Sequence, residues 1–123
     1  PEPRINIDGA IETVSDIVKS IKKEVDSHTN VAIWSAGHRA LALMAIAKLE
    51  KIKYVIDSAT FKQGKFTPIL HKKIISPKDF ISIKCDLLII MLPGNYAEQV
   101  IRFVDENKIT CKVIVFEDKV LLS

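Results

Sequence analysis

Val31-Ala32-Ile33-Trp34-Ser35-Ala36-Gly37-His38-Arg39, followed further on by Tyr54-Val55-Ile56-Asp57, decides the architecture of this chain. Four consecutive apolar residues run into a short turn, an apolar helix-like stretch from about Arg39 to Lys51, and a second apolar strand. A strand with one wet face alternates; an unbroken apolar strand is buried on both faces. Strand, turn, helix and strand of this kind make one unit of a parallel sheet.

Upstream, Asp8 and Gly9 open an amphipathic helix over about residues 9–27, with Ile11, Val14, Ile17, Val18, Ile21 and Val25 on one face. Ser27-His28-Thr29-Asn30 ends it. Downstream, Ser58 to Leu70 is polar and irregular, with Gly64 and Pro68 as breakers. Lys73–Ile75 reads as a brief strand, and Ser76 with Pro77 as the cap and first position of a helix. Leu87–Leu92 is the plainest buried strand. Tyr96–Asn107 follows as a helix with Ala97, Val100, Ile101 and Val104 inward, Asn95 standing as its N-cap. Lys112–Phe116 is the last long strand and Val120–Leu122 a small extra one. The pattern predicts one domain over residues 1–123. Its fold is α/β, a three-layer, doubly wound parallel sheet with an extra N-terminal helix.

Composition narrows the function. The chain has 123 residues, 48% hydrophobic and 27% charged, with a net charge of +3. It is long enough to bury its own core without a staple. Its apolar runs fall far short of the roughly 20 residues that span a bilayer, and Pro1-Glu2-Pro3-Arg4 does not have the plan of a secretion signal. The expectation is a cytoplasmic protein with no membrane partner. Between Lys48 and Lys78 there are eight lysines against Glu50 and Asp57. A nucleic-acid binder adds an arginine stripe and stacking aromatics, whereas the chain has scattered aromatics, so no nucleic-acid partner is expected. The lysines suit either a solvated face or attraction of a phosphorylated small molecule. Cys85 and Cys111 each open an apolar run and form no C-x-x-C pair. Two buried, reduced thiols are expected, and no zinc site.

In a doubly wound sheet the ligand crevice lies beyond the carboxyl ends of the strands. Three loops should converge there: Trp34 to Arg39, the segment starting at Asp57, and Pro93-Gly94-Asn95. Gly37 alone stands where a dinucleotide fingerprint needs three glycines, although Asp57 lies about 20 residues on, where a ribose-binding acid would be. His38 and Arg39 could bring charge to a phosphate; equally, Arg39 could be a surface helix residue and Asn95 only a cap. No nucleophile–base–acid set is visible, so no catalytic residue is assigned.

The stretch from Asp57 to Pro77 is more specific. With Asp57, Lys62-Gln63-Gly64, Pro68, His71 and Ser76-Pro77, it closely resembles the signature of the C-terminal domain of S-adenosylmethionine-dependent C-methyltransferases, which include enzymes acting on nucleotide-linked deoxysugars. The loop Ile33–Ala40 matches the family's first loop, but Ile33, Ser35 and Ala40 replace its glycines and Arg39 its lysine. Pro93-Gly94-Asn95 matches a later loop whose tryptophan is here Gly94. The resemblance implies a Rossmann-like domain that helps hold a nucleotide-sugar or other phosphorylated substrate, with Ser35, Gly37, His38, Arg39, Asp57, His71 and Asn95 on the substrate. It also implies a partner methyltransferase domain in the parent chain. S-adenosylmethionine and the chemistry would belong to that separate domain, and this chain would bind no cofactor. The alternatives are a stand-alone interaction or regulatory domain that docks through Ala40–Ala47, and a dinucleotide-binding enzyme.

Overall fold

A computed structural model of the chain describes residues 4–8, 14–35, 37, 50–67, 70–92 and 94–117. The elements run β1 (Arg4–Asp8), α1 (Val14–Asp26), β2 (Val31–Trp34), β3 (Ile52–Ile56), β4 (Ile74–Ile75), α2 (Pro77–Ile81), β5 (Leu87–Ile90), α3 (Gly94–Glu106) and β6 (Lys112–Glu117). The six strands form one sheet in the order β1-β6-β5-β2-β3-β4. Every strand pair is parallel.

The two quartets Val31–Trp34 and Leu87–Ile90 are wholly buried and lie side by side, Val31 on Leu87 and Trp34 on Ile90. Their unbroken apolar sequences follow from this central place. One sheet face carries Ala32, Trp34, Ile56, Leu88, Ile90, Val113 and Val115, packed with Phe80 of α2 and Ala97, Val100 and Val104 of α3. By alternation the other face carries Ile33, Val55, Ile89 and Ile114, also buried. On that side Glu24 of α1 meets Lys112 of β6 at 3.0 Å, so α1 covers it. Helices therefore lie on both faces, as the apolar strands require.

The helix read at residues 9–27 is α1, but a strand that the sequence reading did not propose precedes it. β1 pairs with β6 at the sheet edge, Arg4 on Val113 through Asp8 on Glu117. Residues 4–8, RINID, alternate apolar and polar. That is the pattern of an edge strand, not of the uniformly apolar strands on which the reading relied. α2 begins as expected: the Ser76 hydroxyl accepts the Asp79 N–H at 3.0 Å and Pro77 takes the first turn. α3 starts at Gly94, so Asn95 lies inside the helix and is not its cap. The helix read from Arg39 to Lys51 and the small strand at Val120–Leu122 lie outside the described residues, apart from Glu50 and Lys51, which form a turn.

Candidate functional site

The strand order reverses about β2: β3 and β4 extend to one side, β5 and β6 to the other. At such a switch point the connections leave in opposite directions and open a crevice beyond the carboxyl ends. A cavity of about 270 Å³ lies there. Trp34 and Ser35 at the end of β2, and Asp57 and Ser58 at the end of β3, form one side; Tyr96, Gln99 and Phe103 of α3 form the other.

The wall is aromatic and held rigidly. Trp34 is 6% exposed, its ring set edge-on against Phe80 at 5.9 Å and against Phe103 at 5.4 Å between centroids. Such pairs add about 0.5–1.5 kcal/mol beyond burial. Tyr96 is half in solvent at 54% exposure.

Ser35 carries backbone strain. Its φ is 141°, in a region that favours glycine, as expected where the resembled family has glycine. The strain is sustained by its N–H on the Ile56 carbonyl at 2.9 Å and its Oγ accepting the Gly37 N–H at 3.2 Å. Strain of this kind gathers at functional sites. A Cβ added at Gly37 would stand 3.2 Å from that same Oγ, so the turn is tight.

Asp57 is partly engaged by its own loop. One carboxylate oxygen accepts the Ala59 N–H at 2.8 Å and the other lies 3.4 Å from Lys62 Nζ. Gln63 donates to the Asp57 carbonyl at 2.9 Å. The Lys-Gln-Gly string thus braces the end of β3. Gly64, at φ 83°, starts a hairpin in which its N–H meets the Ile74 carbonyl and the Ile74 N–H meets Lys65. Thr67, 2% exposed, accepts the Lys72 N–H on its hydroxyl.

Of the residues expected on a substrate, the fold brings Ser35 and Asp57 together on the cavity wall. Gly37 lies in the adjoining turn. His71 is exposed, adopts a left-handed φ of 52° closing the hairpin turn, and is not part of the wall. Asn95 is exposed on the first turn of α3, next to Tyr96 but not lining the cavity. His38 and Arg39 lie outside the described residues. The sequence reading missed Tyr96, Gln99 and Phe103. Their spacing of three and four makes a helical stripe beside the inward one, and that was the available signal. No group of three or more His, Cys, Asp or Glu that could hold a metal occurs among the described residues.

A parallel sheet with helices on both faces and a crevice at its switch point defines an α/β, Rossmann-like domain. The chain belongs to the C-methyltransferase C-terminal domain family, whose model matches residues 8–114. No curated protein matches it. Among solved structures it is similar to RSP, a Rex-family repressor, at 17% identity and TM-score 0.56 over 85% of this chain and 59% of that one. RSP in complex with β-NAD+ and operator DNA gives 16% and 0.53, covering 85% and 57%; RSP with β-NADH gives 15% and 0.51, covering 85% and 60%. The chain spans about three-fifths of the length of these structures. At such identities the likeness is one of fold.

Proposed function

We propose that this chain is the substrate-holding domain of an S-adenosylmethionine-dependent C-methyltransferase, taking the sugar end of a nucleotide-linked sugar in its crevice. Family membership supports the general assignment. The observation that carries the ligand class is the meeting of aromatic side chains, half-exposed Tyr96 and buried Trp34, with hydrogen-bonding groups on Ser35, Asp57, Ser58 and Gln99 around one cavity. Aromatic faces suit the apolar face of a sugar ring, and the polar groups suit its hydroxyls. Drug-sized ligands occupy roughly 300–1,000 Å³; about 270 Å³ suits a single ring. The diphosphate would lie outside, where Lys62 stands 3.4 Å from the Asp57 carboxylate.

On this reading the methyl donor belongs to the parent enzyme's other domain, since the segment after β2 carries one glycine where a dinucleotide fingerprint has three. The setting is assigned as cytoplasmic, and no nucleic-acid partner is assigned. No described helix is long and apolar enough to cross a membrane.

A titration followed by NMR tests the reading. A nucleoside diphospho-hexose should shift Ser35, Asp57, Tyr96 and Gln99, and salt should weaken it, since exposed charges are screened within about 10 Å at 0.1 M. Arg39→Ala should weaken binding about tenfold or more, and Lys48→Ala much less. No shifts at millimolar ligand, or shifts elsewhere, would remove the assignment. A second reading, a dinucleotide site, is favoured by the RSP complexes with β-NAD+ and β-NADH; tighter binding of NADH than of the diphospho-sugar would select it. S-adenosylmethionine should show no micromolar site by calorimetry, and the isolated chain should transfer no methyl group.

A further inference from the structure

The turn that follows β3 leads away from the crevice. Lys62 Nζ lies 3.4 Å from the carboxylate of Asp57, a residue of the crevice wall, and over the Phe61 ring, 5.7 Å from its centroid. Phe61 is 69% exposed, the most of any large hydrophobic side chain among the described residues. A carboxylate in the cavity wall, a cation beside it and an open aromatic ring beside the cation therefore stand in succession.

This succession is held by hydrogen bonds at every step. The Lys62 N–H meets the Ala59 carbonyl at 3.0 Å and the Gln63 N–H meets the Thr60 carbonyl at 3.3 Å, two consecutive turns. The Asp57 carboxylate accepts the Ala59 N–H at 2.8 Å, and the Gln63 side-chain amide donates to the Asp57 carbonyl at 2.9 Å. Phe61 and Lys62 are thus fastened to the end of β3, which lowers the ordering cost of a ligand that uses both. From Ser58 to Lys78 the sequence has five lysines and no acidic residue, so the surround attracts an anion.

We propose that Phe61 is a stacking shelf for the nucleobase of a nucleotide-linked ligand, with Lys62 on the diphosphate between base and sugar. The proposal rests on the sugar reading of the crevice and extends it outward. Sugar, diphosphate and base follow one another in such a ligand as Asp57, Lys62 and Phe61 do here. An ammonium has three donors, and the contact with Asp57 takes one, leaving others for phosphate oxygens. Lys62 covers one face of the ring and the base takes the other. A phenyl ring has no group with which to read a base edge, while every base has a π-face. The domain therefore gains affinity from the presence of a base and is indifferent to which base it is.

The test is an NMR titration of the chain with UDP-glucose, ADP-glucose and glucose 1-phosphate. Both nucleotide sugars should shift Phe61 and Lys62 together with Ser35 and Asp57, and should agree in affinity within about threefold. Glucose 1-phosphate should shift the same residues except Phe61 and bind about tenfold more weakly, the loss expected from one base stack. Phe61→Ala should weaken both nucleotide sugars about tenfold and leave glucose 1-phosphate unchanged, whereas Phe61→Trp keeps the parental affinities. Lys62→Ala should weaken all three probes, since each carries phosphate. Phe66→Ala removes a similarly exposed ring, at 62%, and should change none of them. These rings are in solvent, so the alanine variants should unfold at the parental Tm. Crevice shifts with equal affinity for all three probes, or with Phe61→Ala binding UDP-glucose as the parent does, would overturn the shelf and leave the sugar reading standing. A loss in Phe66→Ala equal to that in Phe61→Ala would overturn the shelf by placing the base elsewhere on the hairpin. No crevice shift from any probe would remove the sugar reading, and the shelf with it.

Discussion

The two ends of the sheet are built differently. At the carboxyl end the strands stop at a strained serine, a carboxylate partly engaged by its own loop, and a cavity with an aromatic wall. At the amino end polar side chains tie the elements to one another. Asp86 ties β5 to the segment entering β2 through two backbone N–H groups. Burial works against its charge, but those two bonds, with His28 nearby, hold its carboxyl below the usual range. Lys112 and Glu24 clamp β6 to α1. α3 ends in two backward bonds, Ile109 N–H to Val104 and Lys108 N–H to Asp105, which close the last turn in the manner of a Schellman motif. The carboxyl rim sets its strained residue beside the crevice, whereas the amino rim uses its left-handed residue, Lys108, to close a helix end.

Mutations can separate the two ends. The largest effect belongs to the layer beneath both: Phe80 is fully buried and wedged against Trp34, so Phe80→Ala should cost about 3–5 kcal/mol in denaturant unfolding. Asp86→Asn keeps the shape but loses a charge-assisted acceptor, and should cost about 1–3 kcal/mol while leaving crevice binding intact. Because folding lowers this carboxyl, its contribution is full above the ordinary Asp value of about 3.9 and disappears as pH falls through the folded value. The stability curves of parent and variant should therefore converge in acid, and a gap that persists there would deny the ionic role. Ser35→Gly should do the opposite at the other rim: about 1 kcal/mol gained from released strain, with the proposed sugar binding weakened by the lost hydroxyl. The smallest effect is at Lys108, which adopts a left-handed φ of 54°. Lys108→Gly should raise stability by roughly 0.5 kcal/mol, read as a slight rise in Tm.

The sequence was most informative where burial is complete. β2 and β5 have no wet face, so their apolar quartets could be read without ambiguity, and the Ser76-Pro77 helix start obeys local chemistry alone. β1 was missed because an alternating pentad gives no indication that its partner lies at the far end of the chain. At the site, Ser35 and Asp57 were legible as strand-end residues, since strand ends define the crevice in this fold. Tyr96, Gln99 and Phe103 were not. They belong to the flank of a helix whose inward face was correctly read, and only the tilt of α3 on the sheet decides which flank meets β2. His71 shows the reverse: a conspicuous histidine within a specific motif, whose place is set by the backbone conformation it supplies. The motif around it is largely a device for turning the chain back from Asp57 to β4.

β1 has a consequence for the order in which the chain assembles. Its ladder with β6 joins residues more than a hundred positions apart, and closing such a loop from an open chain costs about 4 kcal/mol. The contacts of β2, β3 and β5 span shorter loops and come first, so β1 docks late onto a sheet whose far edge is already laid down. With a neighbour on one side alone, as β4 has at the other edge, it can peel away while the central strands hold. Its amides should exchange with deuterium through openings far smaller than global unfolding, ahead of those in β2 and β5.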